Sequence, residues 1–116
     1  KEGLVTILNR ISKSGHTSFL TVLKLFGKQE GILSFPMEGY NLSLDFPIRP
    51  GIFELLDELD VLVLHYGGRL YLAKDARMNS EMFSKSYANS EKFSELKSRF
   101  DSRNIFHSMQ SRRIGL

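Results

Sequence analysis

Leu4, Ile7, Leu8 and Ile11 recur at three- and four-residue intervals, and Gly15 follows them. That spacing marks one face of a short amphipathic helix with a glycine stop. The next stretch, Ser18 to Gly27, is rich in β-branched and aromatic residues and predicts a strand. Gln29 to Glu38, interrupted by Gly31 and Pro36, reads as a loop with a short extended piece. From Tyr40 to Phe46 the pattern alternates strictly: Tyr40, Leu42, Leu44 and Phe46 are apolar, whereas Asn41, Ser43 and Asp45 are polar. A period of two sends the two sets to opposite faces of a strand, one toward a core and one bearing an amide, a hydroxyl and a carboxylate.

Pro47 and Pro50 end that strand, and Gly51 leads into a helix from about Ile52 to Tyr66. Its buried stripe is Ile52, Leu55, Leu56, Leu59, Leu62, Val63 and Tyr66. Gly67-Gly68 closes it, and Arg69 to Lys74 predicts a further strand. Strand, helix and strand in this order imply a βαβ unit with two parallel strands. Two polar helices follow, near Glu81 to Tyr87 and Glu91 to Phe100, with Asn79-Ser80 and Asn89-Ser90 as natural caps. The order predicts an α+β fold, with an antiparallel or mixed sheet carrying helices on one face, close to a ferredoxin-like sandwich. Such a sheet has four strands and the pattern supplies three. The expectation is therefore an incomplete fragment of a larger domain, its missing strand upstream of Lys1. The opening Lys1-Glu2, in place of Met, points the same way.

The chain has 116 residues, 41% hydrophobic and 25% charged, which fits one ordinary soluble domain. A net charge of +3 is too small to imply nucleic-acid binding. Its distribution is uneven: residues 1 to 76 carry eight basic and nine acidic side chains, and residues 77 to 116 carry eight and four. The basic second part, ending in Arg112-Arg113, is either a solvated surface or a face toward anionic lipid or a phosphorylated substrate. The expected location is the cytoplasm or a membrane periphery. With no cysteine, a disulfide framework, a thiolate metal site and a cysteine nucleophile are all excluded.

His16, His65 and His107 share no metal-ligand spacing, so no metal is expected. There is no phosphate-binding glycine loop, dinucleotide fingerprint or nucleophile elbow. Two constellations remain. The polar face of Asn41, Ser43 and Asp45 is either solvated or a binding face. Lys74, in an otherwise apolar run, marks either an edge strand or a polar pocket.

Gly39-Tyr40-Asn41, Leu44-Asp45-Phe46-Pro47, Leu59-Asp60 and Gly67-Gly68-Arg69-Leu70-Tyr71-Leu72-Ala73-Lys74-Asp75 together resemble the C-terminal region of flavin-linked oxidases. These are oxidases of the vanillyl-alcohol-oxidase type, on the aldonolactone oxidase branch. The resemblance runs from the first helix to Arg112-Arg113. It implies that residues 1 to 116 form a substrate domain capping the isoalloxazine ring of FAD. The FAD would be bound mainly by another domain of the same polypeptide. It implies a sugar or polyprenyl-phosphate-linked sugar as substrate, oxidised at a hydroxyl by hydride transfer to flavin. Asn41 and Ser43 would bind substrate, and Tyr71 and Lys74 would be catalytic. Lys74 would also touch the cofactor, where a cation stabilises the reduced anionic flavin. Strict alternation would separate Tyr71 from Lys74, so a bulge or strand end is expected between them. Tyr40 departs from the tryptophan usual in such relatives. The rival expectations are a ferredoxin-like module that binds a small ligand and an interaction domain without catalysis.

Overall fold

A computed structural model describes all 116 residues. Five helices and two strands follow in the order α1 (Glu2–Ser14), β1 (Leu20–Phe26), β2 (Gly39–Asp45), α2 (Ile52–His65), α3 (Ser80–Ser86), α4 (Ser90–Phe100) and α5 (Met109–Ile114). The fold class is α+β with a two-stranded antiparallel sheet, consistent with a small ferredoxin-like fragment. The chain divides into two compact units. Unit 1 holds Lys1–Gln29 and Pro36–Gly68, and unit 2 holds Glu30–Phe35 and Arg69–Leu116.

In unit 1, α1 and α2 pack through Ile11, Ile52, Leu55 and Leu59, with Ile7, Leu56, Leu62, Leu44 and Phe46 closing around them. The even positions of β2 thus reach the core as alternation predicts, but only at its C-terminal end. Register pairs Leu42 with Leu23 and Tyr40 with Leu25 on that same face. There Leu23 is 52% exposed and Leu25 71%. The helices cover one end of the sheet and leave the rest of its apolar face open.

The double glycine after α2 has a local cause. Gly67 takes φ +70, and its amide reaches the Leu64 carbonyl at 2.9 Å. A side chain at Gly68 would meet Val63 Cγ1 at 2.9 Å and the Val63 carbonyl oxygen at 3.0 Å. One glycine supplies the left-handed turn and the other the close approach.

Unit 2 corrects the expected third strand. Arg69 to Tyr71 pair with no strand, and Leu72–Lys74 form a 3₁₀ turn. The parallel βαβ unit is therefore absent. The apolar residues that suggested a strand are used differently: Leu70 and Leu72 pack against the core of Met78, Phe83, Tyr87 and Ile114. Asn79 caps α3, its Oδ1 accepting from the Met82 amide at 2.8 Å, whereas Asn89 makes no side-chain cap on α4. The helix α5, absent from the sequence reading, forms despite its six residues because Ser108 and Ser111 close a reciprocal capping box. No helix is long and apolar enough to cross a membrane.

Candidate functional site

Asn41 and Ser43 lie two residues apart on one face of β2, and both are half-buried. The Ser43 hydroxyl stands 3.5 Å from Asn41 Oδ1, at the outer limit for a hydrogen bond, so neither side chain is firmly fixed by the other. Directly opposite Asn41 on β1 is Lys24. Residues directly opposed in an antiparallel pair share a face. The polar face therefore carries an exposed ammonium group beside the amide and the hydroxyl. Sequence reasoning passed over Lys24, although it is the only charged residue between Ser18 and Gly27.

Tyr71 and Lys74 meet in unit 2. The Lys74 amide donates to the Tyr71 carbonyl at 3.2 Å, closing the 3₁₀ turn. Positions i and i+3 of such a turn stack on one side. The break expected between them is thus a turn and not a bulge. Both residues are exposed, and the Tyr71 ring lies 4.7 Å from that of Phe35.

The turn is irregular backbone, and side chains fasten it. Tyr87 donates its hydroxyl to the Leu70 carbonyl at 2.6 Å, and Gln110 Nε2 donates to the Leu72 carbonyl at 2.5 Å. Arg69 Nη1 reaches the Ser34 carbonyl at 2.6 Å. Asp75 Oδ1 accepts from the amides of Met78 at 2.7 Å and Arg77 at 2.9 Å, and its Oδ2 accepts from Arg113 Nη2 at 2.9 Å. Arg113 Nη1 also donates to the Met78 carbonyl. Burial alone would favour the neutral acid at Asp75. The Met78 and Arg77 amides and the Arg113 guanidinium outweigh it and hold the carboxyl below its ordinary range. Burial pushes the Tyr87 phenol up, so it remains a hydroxyl donor.

Unit 2 has two surface depressions, and the smaller is lined by Leu72 of the turn and by Gln110. The larger, of about 600 Å³, is lined by Ser80, Phe83, Ser90, Glu91 and Ile114, and contains none of the four expected site residues. It is an open depression whose polar lining is serine hydroxyls and glutamate carboxylates.

No family model matches the chain. Over 116 residues, 99% of its length, it is 42% identical to a decaprenylphosphoryl-β-D-ribose oxidase from Mycolicibacterium smegmatis. This chain is similar to part of a sugar-linked oxidase. It spans 25% of that relative. It is also 39% identical over 112 residues, 95% of its length, to an "Uncharacterized protein in mprA 5'region" of Streptomyces coelicolor, of which it spans 30%. The resemblance drawn from the Asn41 and Lys74 motifs therefore holds.

Proposed function

We propose that this chain is the substrate domain of a longer FAD-dependent oxidoreductase that oxidises a sugar hydroxyl. The observation that carries the reading is the chain-long similarity to an oxidase of a decaprenylphosphoryl ribose. The donor set fits a flavin and an anionic sugar substrate. Lys74 offers an exposed cation and Tyr71 a phenol, both on a fastened turn, and Asn41 and Ser43 offer adaptable hydrogen-bonding groups. FAD would supply the hydride acceptor. Lys74 would stabilise the negative charge left on the reduced ring, and Tyr71 would orient the reacting hydroxyl. Asn41, which can donate and accept, would hold another sugar hydroxyl. Ser43, on the same strand face as Asn41, would offer a hydroxyl, and Lys24 would attract a substrate phosphate. The FAD-binding part of the same polypeptide would be the partner. A polyprenyl-phosphate substrate would bring the enzyme to a membrane periphery.

Two preparations test this. The 116 residues alone should be colourless and inactive, whereas the full-length protein should carry flavin that bleaches on adding a decaprenylphosphoryl ribose. A full-length protein without flavin absorbance would overturn the reading.

A further inference from the structure

The turn bearing Tyr71 and Lys74 has little backbone support of its own. Its two internal backbone bonds are long, Lys74 to Tyr71 at 3.2 Å and Asp75 to Leu72 at 3.3 Å. The side-chain bonds on either side of Lys74 are shorter. Gln110 takes the Leu72 carbonyl at 2.5 Å and Arg113 takes the Asp75 carboxylate at 2.9 Å. Gln110 and Arg113 stand three residues apart on α5, the spacing that brings two side chains onto one helix face. From 38 residues downstream, one short helix thus grips the chain just before and just after Lys74. The Asp75 side chain is only 7% exposed, which shields the ion pair from water.

We infer that Arg113, with Gln110, is a positioning residue for the oxidation proposed above: α5 clamps the Leu72–Asp75 segment and so sets where Lys74 and Tyr71 stand. The inference rests on that reading of the site. Arg113 itself touches neither reacting atoms nor cofactor. Its effect passes through the turn.

The test is flavin reduction by substrate in the full-length flavoprotein. Arg113→Ala should slow reduction about 10- to 100-fold, the scale of an ångström-level misplacement, with FAD content unchanged. Arg113→Lys, which can still reach Asp75, should recover most of the rate. Arg112→Ala, which removes the same charge from the exposed neighbouring residue, should leave the rate unchanged. Lys74→Ala combined with Arg113→Ala should be less slow than the product of the two singles, because part of the Arg113 effect passes through Lys74. If Arg113→Ala fails to fold, Asp75→Asn replaces it. That variant keeps an acceptor for the Arg77 and Met78 amides but opposes the guanidinium with an amide donor, and it too should slow reduction. A wild-type rate in Arg113→Ala or Asp75→Asn, or a double variant as slow as the product of the two singles, would overturn the inference while leaving Lys74 in its role. A wild-type rate in Lys74→Ala would remove the site reading itself and the inference with it.

Discussion

Strand β2 and the turn at Leu72–Lys74 each present polar side chains, yet they are built in different ways. In β2 the backbone ladder with β1 fixes the register, and Asn41 and Ser43 fall on one face because the side-chain period is two. Around the turn the backbone makes few bonds to itself, and Tyr87, Gln110, Asp75 and Arg113 hold it from outside. The ladder leaves its polar side chains loose, as the 3.5 Å approach of Ser43 to Asn41 shows. The clamp fixes the backbone around Lys74 at both ends. A ladder suits groups that adapt to a substrate, and a clamp suits a charge whose position matters.

The largest effects should come from the core behind β2. Leu55→Ala removes a side chain only 2% exposed from the α1–α2 core and should cost about 2–5 kcal/mol. Asn41→Ala, half-buried and without a short hydrogen bond, should stay within about 0.5 kcal/mol of wild type while impairing turnover of the full-length enzyme. Urea melts and turnover assays check the pair. An Asn41→Ala protein that melts as early as Leu55→Ala would place Asn41 in the core and invert the faces of the strand.

Smaller effects should single out the clamp. Asp75→Ala leaves the amides of Arg77 and Met78 without their acceptor and should cost about 1–3 kcal/mol. Acid should do the same reversibly. The Asp75 carboxyl is held below its ordinary value in the folded protein. Its contribution is therefore present above a pH of about 4 and is lost as the pH falls through the lower folded value. The protection of the Arg77 and Met78 amides, taken as exchange relative to the intrinsic rate at each pH from 6 to 2, should fall in that acid window, and Asp75→Asn should lack the transition. Protection at these two amides that ignores both acid and the substitution would mean that the turn does not depend on Asp75.

Periodicity made most of unit 1 legible. The α1 stripe, the alternation of β2, the α2 stripe and the double-glycine stop each repeat a local rule, and each element stands within a residue or two of its expectation. The segment from Arg69 to Lys74 misled because Leu70 and Leu72 alternate as a strand would, and only unit 2 shows that they bury against Met78, Phe83, Tyr87 and Ile114. Alternation gave Asn41 and Ser43 their shared face, which the structure keeps, whereas their place in the expected site came from the resemblance. Lys24 could have been found as the one charge in an apolar strand, but its place beside Asn41 needed the register. Asp75, Gln110 and Arg113 carry no local signal, because a clamp that spans 38 residues leaves no period in the chain.

The central claim is that the clamped turn supplies the reaction with its charge while the strand supplies binding groups. Stopped-flow reduction of the full-length flavoprotein, with substrate concentration varied, separates the two. Lys74→Ala should keep its FAD and lower the limiting rate of flavin reduction about 10²- to 10³-fold, the cost of one lost charge stabiliser. Asn41→Ala should chiefly raise the substrate concentration needed for half-maximal rate. A wild-type limiting rate in Lys74→Ala would contradict the account and return that lysine to the solvated surface.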